Sequence, residues 1–129
     1  MDGESWRTLS KAEWEYLING RTVNGGTGYG KTCKWGTYKG VDGLIIAHDN
    51  YTGDFSDADA AIADGCVFLP AAGNRYGTNV YNVGLYGYYW SATPYETYES
   101  SAGYLYFSDG YALTDDDYRN YGHCVRLVR

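Results

Sequence analysis

The chain is poor in the residues from which most catalytic and phosphate-binding sites are made. Its 129 residues include only two histidines, His48 and His123, which sit in unrelated contexts. No Gly-x-Ser-x-Gly elbow occurs, so no nucleophilic constellation stands out. Ten Lys and Arg are scattered among sixteen Asp and Glu, for a formal charge of -6. That balance leaves no basic face to track phosphates and excludes nucleic acid and anionic membranes as expected partners. No apolar run reaches the ~20 residues of a membrane span, so membrane insertion is not expected. Met1-Asp-Gly-Glu-Ser5 lacks the basic and apolar regions of a secretory signal, which fits a chain that is cytosolic, trimmed or exported by another route.

Cysteine is scarce as well. Cys33, Cys66 and Cys124 show neither a paired nor a zinc spacing, and an odd count leaves at least one thiol free. Cys66 and Cys124 lie in apolar, strand-like runs and read as small buried hydrophobes, with a Cys66–Cys124 disulfide as the alternative. Two prolines against 18 glycines, with 44% hydrophobic and 18% aromatic residues, describe a folded, loop-rich protein of short strands. The length suits one domain with a core of its own.

Tyrosine is abundant. Of 16 in the chain, ten fall between Leu85 and Arg129, mixed with Asp, Ser, Asn and Gly. A tyrosine offers broad apolar contact and a hydrogen-bonding tip while losing only two torsions on binding, and small polar residues adapt around it. The mixture is that of a recognition surface. A tyrosine-rich antiparallel sheet whose rings pack across strands is the competing reading.

Ser10-Lys-Ala-Glu13 has the form of a capping box, and Trp14, Leu17 and Ile18 follow at helical spacing until Gly20, predicting a helix over 11–19. So short a helix must dock its apolar side on a sheet, with Trp6 and Leu9 beside it. Glycines between 21 and 43 separate two or three short strands or an irregular loop, with no Gly-Lys-Ser/Thr to mark a phosphate cradle. Leu44–Ala47 reads as a buried strand and His48–Asp54 as a polar turn, in which a metal held by His48 and Asp49 is the minor alternative. A second helix is expected over Ser56–Ala63, capped by Ser56 or Asp57 and closed at Gly65. Further strands are expected at Cys66–Leu69, Tyr88–Ser91, Gly103–Phe107 and Cys124–Val128, with a turn at 82–87. Alternation in Tyr104-Leu-Tyr-Phe107 sends Leu105 and Phe107 to one face and the tyrosines to the other. Arg126 has to leave the core or find a carboxylate. Asp115-Asp-Asp117 reads as a solvated turn that lacks the glycine and distal Glu of a regular calcium loop. The pairs Glu96/Glu99 and Asp109/Asp115 give glycosidase chemistry no support. The fold class is α+β, two short helices on small antiparallel sheets with long loops.

Three stretches taken together carry a resemblance: Trp6-Arg-Thr-Leu-Ser-Lys-Ala-Glu-Trp-Glu-Tyr-Leu17, Cys66-Val-Phe-Leu-Pro-Ala-Ala-Gly73, and Tyr89-Trp-Ser-Ala-Thr93 running to Arg119-x-x-Gly122-x-x-Val-Arg-Leu-Val-Arg129. Their order and spacing resemble the C-type-lectin-like domains of the formylglycine-generating-enzyme type, most closely the bacterial and phage branch of gut Bacteroides that includes the variable proteins of diversity-generating retroelements. The resemblance implies a C-type-lectin-like fold over 1–129 with a variable segment at 85–129. Its scaffold would be Trp6, Leu9, Trp14, Phe68, Leu69, Trp90, Leu105, Phe107, Val125 and Leu127. Its diversified, ligand-binding positions would be Tyr86, Tyr88, Tyr95, Glu96, Tyr98, Ser108, Asp109, Tyr111, Asp115, Asp116, Asp117, Tyr118, Asn120 and Tyr121. Adenine-directed change of AAC codons yields Tyr, Asp, Ser and Asn, though it does not reach Glu96.

Two departures narrow what the resemblance implies. The enzyme branch uses a closely spaced cysteine pair near the C-terminus, where this chain has only Cys124. The calcium-dependent sugar binders follow their tryptophan with Asn-Asp, where Trp90 here precedes Ser91-Ala92. The expectation is therefore a non-enzymatic receptor-recognition or adhesin domain without cofactor or metal, found at a cell surface, extracellularly or on a phage virion. It would bind a cell-surface protein or glycan, with an oligomer open. The competing expectations are an inactive or undiscovered enzyme of the formylglycine-generating type and a structural surface subunit.

Overall fold

The computed structural model describes residues 7–94, 101–118, 121–124 and 126–128. Trp6, Tyr95, Glu96, Tyr98, Asn120 and Val125, named above, lie outside them. The chain is α+β, with two helices and four small antiparallel sheets among the described residues.

Helix α1 spans Lys11–Asn19. The Ser10 amide donates to Glu13 Oε1 at 2.9 Å and the Glu13 amide to Ser10 Oγ at 3.1 Å, so the capping box satisfies two free donors reciprocally. Trp14 and Ile18 are buried, Leu17 partly so, and Gly20 closes the helix. Helix α2 spans Ala58–Ala63 with Asp57 as its cap; Asp57 Oδ1 accepts from the Ala60 amide at 3.1 Å. Gly65 adopts the positive φ of 110° that ends the segment.

Strands β2 (Cys33–Tyr38), β3 (Val41–Ile46) and β4 (Val67–Pro70) form one sheet with β3 in the middle. Leu44 and Ile46 face one cluster, with Trp14, Ile18 and Leu69; Ile45 faces a second, with Val23, Tyr51, Phe55 and Ala61. Burial on both sides is why Leu44-Ile-Ile-Ala47 reads as a continuous apolar run and not as an alternation. The polar turn expected at His48–Asp54 contributes more than polarity. Tyr51 is 7% and Phe55 5% exposed, their rings lie 5.0 Å apart, and the Tyr51 hydroxyl accepts from the Phe55 amide at 3.1 Å. Phe55 holds φ at 66°, a left-handed conformation that a bulky residue adopts only when its surroundings fix it.

Strands β5 (Asn74–Tyr76) and β6 (Asn79–Tyr81) make a hairpin in the stretch after Pro70, and β10 (Tyr121–Gly122) pairs with β5. The long strands β7 (Tyr86–Pro94), β8 (Ser101–Ser108) and β9 (Tyr111–Tyr118) form the sheet that dominates the C-terminal third. Here the structure corrects three expectations. Asp115-Asp-Asp117 is no turn: it lies in β9, in register with Tyr104, Gly103 and Ala102 of β8. The turn expected at 82–87 stops short, because β7 begins at Tyr86. The final strand is only β11 (Leu127–Val128), paired with β1 (Arg7–Thr8), while Cys124 makes an isolated bridge to Tyr89. Gly87 is required where it stands, since a Cβ there would strike the Phe107 ring.

The three cysteines are free, with Cys66 in the second cluster and Cys124 packed against the first, so the disulfide alternative does not hold. Burial raises all three thiols, Cys33 to about 11 from its ordinary 9.0.

Two tests follow from this packing. Ser10→Ala should cost about 1 kcal/mol in chemical unfolding, the usual worth of a cap. The unfolded Cys33 thiol gives up its proton near 9.0, whereas the folded one keeps it to about 11, so the native state binds more protons in that window. Stability should be fully present below the window and fall as pH rises through it. In urea titrations across this range, Cys33→Ala should lessen the downward slope by up to about 1.4 kcal/mol per pH unit.

Candidate ligand-binding face

The β7–β8–β9 sheet is two-sided because side chains alternate along each strand. Tyr89, Leu105 and Phe107 point inward and are at most 5% exposed. Trp14 packs on Tyr89 with ring centres 6.5 Å apart, and Tyr89 stacks on Phe107 at 6.0 Å. The Tyr89 hydroxyl donates to the Pro70 carbonyl at 2.9 Å, and burial holds this phenol far above its ordinary range. Tyr89 is thus a core residue.

The outer face carries the neighbours in register. Tyr88 pairs with Tyr106 and Trp90 with Tyr104 across β7 and β8; Tyr106 pairs with Leu113 and Tyr104 with Asp115 across β8 and β9. Tyr86 and Tyr111 stand opposite Ser108 from the two flanking strands. The rings touch one another. Tyr86 stacks on Tyr106 at 5.5 Å, Tyr88 lies 5.1 Å from Tyr106, and Tyr106 lies 5.5 Å from Tyr111. Near the other end, His123 sits 4.2 Å from Trp90, 5.0 Å from Tyr88 and 4.9 Å from Tyr104, and Tyr104 is buried among these rings.

Hydrogen bonds fix several of these groups. The Tyr111 hydroxyl donates to the Tyr106 hydroxyl at 2.8 Å, and Asn82 Nδ2 donates to the Tyr88 hydroxyl at 3.2 Å. Ser108 Oγ donates to the Leu85 carbonyl at 2.9 Å. Burial keeps the Tyr106 phenol protonated well above its ordinary range. The surface is a layer of aromatic alcohols whose rings brace one another. Tyr111 remains 36% and Leu113 39% exposed, and Asp109 and Asp115 lie exposed near them.

Of the positions expected to bind ligand, Tyr86, Tyr88, Ser108, Tyr111 and Asp115 fall on this face, and Asp109 lies in the turn that joins β8 to β9. Asp116, Asp117 and Tyr118 complete β9, and Tyr121 belongs to β10, opposite Tyr76 of β5. Tyr95, Glu96, Tyr98 and Asn120 are outside the described residues. The structure adds Trp90, Tyr104, Tyr106, Leu113 and His123. Tyr104 and Tyr106 were legible from the period of two. Trp90, expected in the scaffold, is half-buried on the outer face because the inward slot of that strand belongs to Tyr89. No local signal marks His123, whose place depends on three partners from two other strands.

The other polar groups that drew attention are committed elsewhere. His48 Nδ1 accepts from the Asn50 amide at 3.2 Å, so in the neutral ring Nε2 carries the proton and donates to Asp64 at 2.9 Å. Asp49 accepts from Arg21 at 2.9 Å. Among the described residues, no three of His, Cys, Asp and Glu are grouped so as to hold a metal ion, and no helix is long and apolar enough to cross a membrane.

No curated protein and no solved structure matches the chain. A family model does match over residues 46–128, a span that takes in the three long strands and their aromatic face. The chain belongs to that family, described as Domain of unknown function (DUF8237).

Proposed function

We propose that the chain is a ligand-binding module, a receptor-recognition or adhesin domain, that uses the outer face of the β7–β8–β9 sheet to grip a protein or glycan on another cell. The observation that carries this reading is the division of one sheet into an inner apolar side and an outer side of braced aromatic alcohols. Rings of this kind form hot spots when a partner covers them, and their mutual packing lowers the entropy lost on binding. Asp109 and Asp115 bias the choice towards partners with basic patches.

The scaffold in this proposal is C-type-lectin-like, of the formylglycine-generating-enzyme type, and the fourteen positions named for it between Tyr86 and Tyr121 are diversified by a retroelement. Two helices beside small antiparallel sheets, and a variable-looking segment that forms the exposed face, support it. On this reading the module is not an enzyme and is displayed at a cell surface or on a virion. The raised thiols favour it over a cysteine-dependent catalyst.

The test pairs affinity with stability. Screening the purified chain on arrays of glycans and surface proteins, then comparing a Tyr86→Ala/Tyr111→Ala variant, should give at least a tenfold loss of affinity for the captured ligand. Unfolding free energy should change by no more than about 1 kcal/mol, because both rings sit at the margins of the outer face. Unchanged affinity would sink the proposal. Sequencing the flanking DNA should reveal a near-repeat of codons 85–129 that differs at adenines.

A further inference from the structure

Across the core from the aromatic face, a cleft of about 320 Å³ opens between α1 and the β3–β4 edge. Its walls are apolar, built by Leu9, Trp14, Leu17, Ile46, Val67 and Leu69. The polar groups on it are few and unequal in charge. Arg21 and Arg126 bring two guanidiniums, and Asp49 brings one carboxylate. His48, also on the wall, is occupied through both ring nitrogens by Asn50 and Asp64. In a chain of net charge -6, this cleft gathers excess positive charge.

The excess sits where an anion gains most from it. The Arg21 side chain is 6% exposed; its Nε donates to the Leu17 carbonyl and its Nη1 to Asp49, both at 2.9 Å. Among the described residues its Nη2 is buried with no acceptor, and so is Nε1 of Trp14 on the same wall. Buried donors are nearly always satisfied in folded proteins, and two lacking acceptors on the wall of one cleft mark a place for an oxygen that the described residues do not supply. Arg126 is exposed and has no ion pair among the described residues. A predominantly apolar cleft with a few convergent polar groups is the usual form of a small-molecule site, and a guanidinium matches a carboxylate in shape as well as charge.

We infer that this cleft binds a small amphiphilic carboxylate, one carboxyl group on an apolar body, with the head at Arg21 and Arg126 and the body against Leu9, Leu17 and Val67. The carboxylate balances the second guanidinium, and the apolar walls reject a bare inorganic anion. The site is separate from the proposed recognition face, since the packed rings of Trp14 and Tyr89 lie between them.

Calorimetric titration of the purified chain with octanoate, octan-1-ol and inorganic phosphate tests the inference. Octanoate should bind one to one and raise the melting temperature, octan-1-ol should bind at least tenfold more weakly, and phosphate should not bind. Arg126→Gln should weaken octanoate at least fivefold while leaving the melting temperature of the free chain in place. Arg21→Lys, which keeps the charge but loses the fork, should weaken it further. Equal affinity for octan-1-ol, no saturable octanoate binding at millimolar concentration, or indifference to Arg126→Gln would each overturn the assignment. Should the Arg21 variant fail to fold, the ligand series and the exposed Arg126 still decide the matter.

Discussion

The inner side of the β7–β8–β9 sheet must be covered, and α1 covers it together with the β2–β3–β4 sheet. A helix of nine residues has no stability of its own in water, and a sheet with Leu105 and Phe107 on one face cannot leave them wet. Each of these side chains gains about 1.5–3 kcal/mol on burial, and the contact of Trp14 with Tyr89 joins the two halves of the arrangement. The bond from Thr114 Oγ1 to Glu15 Oε2, 2.9 Å long, ties β9 to the outer flank of the same helix. Once the inner side is closed, the outer side is free to carry rings that contribute little to the core. The aromatic face exists because its reverse is solved by other residues.

The same logic explains what was legible in the sequence. Helix α1 was readable to its ends because capping box, apolar spacing and terminal glycine are local signals that agree. The inward and outward sides of β8 were readable because Tyr104-Leu-Tyr-Phe107 alternates without interruption. Strand β9 was not. Its Asp115-Asp-Asp117 has the residue type of turns, and the pairing with Ala102, Gly103 and Tyr104 that overrides that preference comes from another strand. Tyr89 and Trp90 show a second limit. Two adjacent aromatics fix that one faces in and one out, but not which, until a register is chosen.

Tyr51 and Phe55 illustrate a third limit. Polar and small residues from His48 to Asp54 gave the stretch holding Tyr51 the look of a solvated loop, yet its ring and that of Phe55 close the second cluster over Ile45. The hydroxyl of one holding the amide of the other is a tertiary device that no periodicity encodes. The cleft near α1 was unreadable for a similar reason. Arg21, Asp49 and Arg126 are far apart in the chain, and only the packing of Trp14 against the sheet sets them around one space.

Strand β9 has a single neighbour among the described residues, so it forms a margin of its sheet. Unpaired strand margins invite other chains to add on, and a protein rich in aromatic rings would be especially prone to such stacking into fibres. Asp115, exposed on this strand, opposes that outcome, because a chain adding there would have to settle beside a solvated charge. One solvated acid at the open margin thereby works against the self-stacking that the rings would otherwise invite.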